Sequence, residues 1–184
     1  NVTVSCESVP AIGTPTATDN CDAAVEITFS GEVISNNTCP NTYILKRTWS
    51  AKDDCGNIKT ALQTITVQDK VRPVFIFVPL DTMVNCDAVP APGMPIATDN
   101  CTLNPNIVFD GETVMGSTSP DSYTLQRMWT ATDECNNTST AAQILTVQDT
   151  IAPAIQCPAS ITMDANAATC TGVATFNQPV SSDN

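Results

Sequence analysis

Two side-chain chemistries recur along this chain: carboxylates in short polar turns, and cysteines beside them. Asp19 lies in Ala17-Thr18-Asp19-Asn20-Cys21, and Asp53 stands two residues before Cys55. The pattern returns at Asp99, Cys101, Asp133 and Cys135, and a third acid recurs as Asp69 and Asp149. Carboxylates gathered from several loops suit Ca²⁺, a hard cation that takes six to eight oxygen ligands. Aspartates in turns also accept hydrogen bonds from nearby backbone N–H groups, which requires no ion. No contiguous EF-hand-type loop is present, so both roles stay open. Nine cysteines, no histidine and no Cys-x-x-Cys argue for disulfides rather than zinc, and for an oxidising compartment. No serine or cysteine has a general base placed beside it by motif, so an enzyme is not expected.

These residues keep register because the chain repeats. Shifted by 80 residues, it aligns with itself without a gap, and about two-fifths of the positions of residues 1–80 are identical to those of 81–160. Val4-Ser5-Cys6 meets Val84-Asn85-Cys86, and Thr66-Val67-Gln68-Asp69 meets Thr146-Val147-Gln148-Asp149. The linker Asp69-Lys70-Val71-Arg72-Pro73 recurs as Asp149-Thr150-Ile151-Ala152-Pro153. Being short and proline-containing, it is expected to couple neighbouring units closely. The organisation reads as repeat 1 over residues 1–72, repeat 2 over 73–152, and the N-terminal strands of a partial third repeat over 153–184. Ser182-Asp183-Asn184 resembles the opening of the Asp-Asn-Cys turn, so the chain is expected to be a segment of a longer protein.

The elements that position the acids and cysteines are strands. Tyr43, Leu45, Arg47, Trp49 and Ala51 are unchanged at Tyr123, Leu125, Arg127, Trp129 and Ala131, whereas the intervening residues drift. A constraint with period two marks a β-strand with one fixed face. Arg47 sits on that face, its stem able to pack while its guanidinium leaves at an edge or lies on the indole. Further strands are expected over residues 2–6, 25–34 and 61–67, with turn residues between them. Thirteen prolines and the absence of a 3.6-residue period disfavour helix. The fold expected is all-β: tandem immunoglobulin-like β-sandwich repeats arranged end to end.

Charge narrows the partners. The net charge is −12, from 19 acids against 7 bases, which argues against nucleic acid and anionic membrane surfaces as partners. No apolar run approaches spanning length, so no membrane insertion is expected in this segment. The Asn-x-Ser/Thr frames at Asn36, Asn100, Asn136 and Asn137 read as coincidences of a threonine-rich sequence. Trp49 and Trp129 read as core residues rather than a sugar platform.

Trp49-Ser50-Ala51-Lys52-Asp53-Asp54-Cys55-Gly56-Asn57, followed by Thr64-Ile65-Thr66-Val67-Gln68-Asp69 and Pro73, resembles the tail of hyalin-repeat-like immunoglobulin domains. Ala17-Thr18-Asp19-Asn20-Cys21 resembles their midsection. Tandem arrays of this type are similar to parts of very large Bacteroidetes surface adhesins, including gliding-motility adhesins. The resemblance implies a structural or adhesive segment forming a rigid stalk at the bacterial cell surface, or secreted. Its partners would be neighbouring repeats in the same chain and, through the parent protein, an external surface or polysaccharide. The alternative is a carbohydrate- or protein-binding module appended to a secreted enzyme.

The expected topology also assigns ends. Cys6 and Cys39 fall at the lower end of repeat 1, Cys21 and Cys55 at its upper end. Cys39 and Cys55 are separated by a mostly extended strand on the order of 40–50 Å long, too far for a bridge that needs Cα atoms within about 7 Å. The pairs expected are Cys6–Cys39, Cys21–Cys55 and, in repeat 2, Cys101–Cys135, with Cys86 facing Ser119. Asp69 leaves the lower end of repeat 1 where the upper end of repeat 2 begins. Asp69, Asp99 and Asp133, joined by Glu134 or Asn137, are therefore the residues expected to converge, as a Ca²⁺ site or as turn caps, with Asp149 and Asp183 as the matching set at the next junction.

Overall fold

In the computed structural model, which describes residues 1–170, 172–175 and 177–183, the first repeat forms four strands. They are β1 (Val2–Ser5), β2 (Glu26–Cys39), β3 (Thr42–Lys52) and β4 (Ile58–Gln68), in the sheet order β1-β4-β3-β2. The Trp strand and its neighbours lie where the alternating pattern puts them, although β2 runs past the Ile34 expected as its end. β2, β3 and β4 form an antiparallel meander, and β1 joins β4 in parallel, with Val4 opposite Val67. Gly31 lies at a register shift in β2 with φ +122°, and its counterpart Gly111 has φ +119°, a region that L side chains rarely adopt.

The second repeat opens with β5 (Val74–Phe77), β6 (Thr82–Asn85) and β7 (Ile96–Thr98). It continues with β8 (Asn106–Ser119), β9 (Ser122–Thr132) and β10 (Thr138–Gln148). Its four-stranded sheet has the order β6-β10-β9-β8, matching the first repeat strand for strand. β5 and β7 form a separate two-stranded antiparallel sheet, with Val74 opposite Thr98. Beyond them, β11 (Ala154–Gln156) pairs with β12 (Val180–Ser182). Asn184, the last residue of the turn-like sequence noted above, lies outside the described residues. Among the described residues, no helix is long and apolar enough to cross a membrane.

Backbone packing divides the chain into two compact units, and the division does not follow the 80-residue period. The first unit comprises Asn1–Leu80, Pro92–Thr113 and Gln126–Gln143, so it holds repeat 1 together with part of repeat 2. The second comprises Asp81–Ala91, Val114–Leu125 and Ile144–Asn184. In the second unit β6 pairs in parallel with Leu145–Gln148 of β10, and Leu145 and Val147 are buried. The Asp81 carboxylate accepts from the Ile144 N–H at 2.7 Å there.

In the first unit, Leu45, Ile65 and Val67 form a buried cluster on which Val4, Cys6, Val9 and Tyr43 pack. The constrained face of the Trp strand is the inward one. Leu45, Arg47 and Trp49 are buried, as are Arg127, Trp129 and Ala131 in β9. Phe29 meets Trp49 with ring centroids 5.5 Å apart, and Phe109 meets Trp129 at the same distance. Pro15, Thr16 and Ala17 line a cavity together with Trp49 and Ala61.

The arginine on this face stays buried rather than leaving at an edge, the first of the two placements expected from the sequence. Arg47 is 4% exposed; its Nε donates to Glu32 at 3.0 Å and its Nη1 to the Ala11 carbonyl at 3.1 Å. Arg127 Nε donates to Glu112 at 2.7 Å, and its Nη1 to Gln143 Oε1 at 3.4 Å. A buried guanidinium is tolerated because its donors are matched in place. Glu32 sits directly opposite Arg47 on β2, on the same face of the sheet.

Candidate junction site

Within the first compact unit, the lower end of repeat 1 meets the upper end of repeat 2. This contact overturns the expected cysteine pairing. The disulfides are Cys6–Cys101, with Cα atoms 6.0 Å apart, and Cys39–Cys135, with Cα atoms 5.2 Å apart. Cys6–Cys39, Cys21–Cys55 and Cys101–Cys135 do not form; Cys21 and Cys55 are exposed thiols. The expected pairs keep each bridge inside one repeat, and that restriction is what fails. The neighbour's upper turns come close enough that each lower cysteine finds its partner there instead.

Polar contacts line the same seam. Asn100 Nδ2 donates to Ser5 Oγ at 3.4 Å and lies 3.1 Å from Cys101 Sγ. Asn41 Nδ2 donates to the Cys101 carbonyl at 3.1 Å, and Asn137 Nδ2 to the Asp69 carbonyl at 3.4 Å. The Asp69 N–H donates to Thr42 Oγ1 at 3.0 Å. In the sequence Thr42 carries no signal, Asn41 is one turn residue among several, and Asn100 shows only in an Asn-x-Thr frame and as the match of Asn20.

The three candidate ligands divide into two kinds. Asp133 closes its own turn. Its Oδ1 accepts the N–H groups of Cys135 and Asn137, each at 2.8 Å, and its Oδ2 accepts Asn137 Nδ2 at 2.7 Å. Asp53 holds Asn57 in the same way, and the Asn57 side chain and backbone keep its carboxyl below the ordinary value of 3.8. Asp99 caps with one oxygen only: Oδ1 accepts the N–H groups of Cys101 and Thr102 at 2.9 and 2.8 Å. Asp69 Oδ1 accepts the Val71 N–H at 3.2 Å. Asp69 Oδ2, Asp99 Oδ2 and Asn100 Oδ1 are buried without a hydrogen-bond partner.

Asp69 is 6% exposed, and burial pushes its carboxyl above the ordinary value of 3.8. The Val71 N–H opposes that shift, while the charges of Asp99 and Asp133 add to it. Carboxylate oxygens of Asp69 and Asp99 and the Cys101 sulfur lie within 4.8 Å of one another. That sulfur is in a disulfide and is not a thiolate ligand. Two carboxylates with open buried oxygens can be neutralised by a shared proton or by a hard cation. Asp69 and Asp99 each bring one open carboxylate oxygen to the seam, whereas the oxygens of Asp133 are already committed to its own turn.

Compared with models of known protein families the chain finds no match, and none of the curated proteins matches it.

Proposed function

We propose that this chain is a structural, adhesive repeat segment of a large bacterial cell-surface adhesin of the gliding-motility kind. Its tandem immunoglobulin-like repeats form a stiff stalk, and the parent protein contacts the external surface or polysaccharide. The observation that carries this reading is the cross-repeat pairing. Both disulfides join one repeat to the next, so tension applied along the array passes through covalent bonds at the junction. Small units built this way resist separation even when one of them unfolds. The disulfides are also compatible with an extracellular setting. A cation held by Asp69 and Asp99 would add a second tie across the seam.

Single-molecule pulling between the chain ends tests the mechanical part. With both bridges intact, the shortest covalent path skips about 95 residues, so complete unfolding should release about 300 Å less chain than after reduction. Equal extensions before and after reduction would remove the basis of the stalk reading. Glycan-array binding by this segment alone would favour a carbohydrate-binding module instead.

A further inference from the structure

The upper ends of the two repeats share the Asp-Asn-Cys turn and the Asp, Cys and Asn of the second turn, but have different surroundings. In repeat 2 this end is covered; in repeat 1 it is open. Three features correspond.

The first is a groove. In repeat 1 a cavity of about 340 Å³ lies beside Trp49, between Gly13–Pro15 and Ala61–Gln63. In repeat 2 the matching place holds the segment that leaves β5. Gln143, the counterpart of Gln63, donates to the Leu80 carbonyl at 2.7 Å. Pro79 lies 3.0 Å from where a Cβ on Gly93, the counterpart of Gly13, would stand. β5 pairs with β7 there, whereas residues 16–18, the counterparts of β7, are not a strand. Trp129 is 0% exposed where Trp49 is 8%.

The second is an acidic pocket. Asp19 and Asp53 line a cavity of about 250 Å³ in repeat 1. Around their counterparts Asp99 and Asp133, the incoming residue is Asp69.

The third is the pair of thiols. Cys101 and Cys135 receive Cys6 and Cys39, and their counterparts Cys21 and Cys55 are exposed thiols. The turns that present them are already set. Asp54 N–H donates to Asp22 Oδ2 at 3.0 Å, as Glu134 N–H donates to Thr102 Oγ1 at 3.2 Å. Asn20 Nδ2 lies 3.3 Å from Cys21 Sγ, as Asn100 Nδ2 lies 3.1 Å from Cys101 Sγ.

We infer that the upper end of repeat 1 is a preformed docking face for another unit of the same type, attached ahead of Asn1. Its outgoing linker strand fills the groove beside Trp49 and adds to residues 16–18 by strand pairing. Its counterpart of Asp69 enters the pocket of Asp19 and Asp53. Its counterparts of Cys6 and Cys39 bond Cys21 and Cys55. Each bond forms from two thiols, and the two electrons and two protons pass to a disulfide oxidant, which is reduced to thiols. The inference stands on the comparison of the two repeats and does not depend on the adhesin reading.

The test adds a further copy of residues 1–80 ahead of Asn1, in register. Thr3→Ser and Thr38→Ser in the added copy mark its cysteine peptides by mass. The protein is refolded in reduced and oxidised glutathione and digested without reduction for mass mapping. The expected new bonds join the added copy's Cys6 to Cys21 of the following repeat, and its Cys39 to Cys55. Cys6–Cys101 and Cys39–Cys135 in the same molecule report that folding succeeded. With those two bonds present, Cys21 and Cys55 left as thiols, or bonded to each other, overturn the proposal. A second measurement uses the present chain with a synthetic peptide of residues 69–80 at millimolar concentration. Amide exchange at residues 16–18 should slow by about tenfold or more, and tryptophan emission should shift to the blue. Unchanged exchange and emission would likewise overturn it.

Discussion

At the scale of single residues, Asp69 and Asp133 show how alike sequence signals part once the chain is folded. Asp133 meets N–H donors with both oxygens, whereas Asp69 and Asp99 each keep a buried oxygen without one. In EDTA, Asp69 should therefore destabilise the fold as it ionises. Its carboxyl is raised in the folded state, so the folded protein holds a proton that the unfolded chain has already released. Stability is then greatest below the ordinary value of 3.8 and falls as pH rises towards the folded-state value. Calcium should reverse the penalty at neutral pH, by about 2.7 kcal/mol at a hundredfold excess over Kd. Asp69→Asn should be more stable than the parent in EDTA and should lose the calcium response. Thermal unfolding of both proteins with EDTA and with CaCl₂ checks this. A parent Tm indifferent to calcium would return Asp69 and Asp99 to proton sharing. A second residue-scale prediction concerns the buried guanidinium. Glu112→Gln keeps the shape but removes the charge facing Arg127 and should cost about 2 kcal/mol in urea denaturation.

At the scale of elements, the strands follow from side-chain alternation, because the period of two is a property of the extended backbone itself. The five residues shared by β3 and β9 include every buried residue of β3, and Arg belongs to that face rather than the outer one. The ion pair that permits this was legible only in hindsight. Glu32 and Glu112 are identical across the repeats, but a lone glutamate in a strand also reads as solvent-facing. The positive φ at Gly31 and Gly111 is likewise written in the sequence as an unchanged glycine. An ideal Cβ at either position would meet nothing within 4 Å, so the cost of a side chain there is conformational. Gly111→Ala should lower stability by about 1–3 kcal/mol. Ser119→Ala, on the exposed end of the same strand, should change it little.

At the scale of the whole molecule, the cross-links matter more than any single contact. Each bridge closes a loop of about 95 residues and restricts the unfolded chain accordingly. Replacing Cys39 and Cys135 together by serine should cost about 4 kcal/mol on the chain-entropy argument, measured by guanidinium denaturation. Cys21→Ser should cost almost nothing in the same assay, since the thiol is exposed and outside both bridges. Equal losses for the two variants would mean that Cys21 has a structural role of its own.

The sequence by itself determined the 80-residue repeat, the all-β character, the inward face of the Trp strand and the two ends to which the cysteines belong. Those features are local: they depend on backbone period, turn chemistry and residue identity at fixed spacing. It also placed Asp69 beside Asp99, because a short linker leaves little choice of where an acid can go. Only the tertiary structure decided which sulfurs bond and which carboxylate oxygens lack partners. A disulfide requires two Cα atoms within about 7 Å, and that distance depends on how one repeat seats against the next. The seating arises from side chains of both repeats at once, including Asn41, Thr42 and Asn100. An 80-residue period records that the two repeats are alike, but not how one docks on the other.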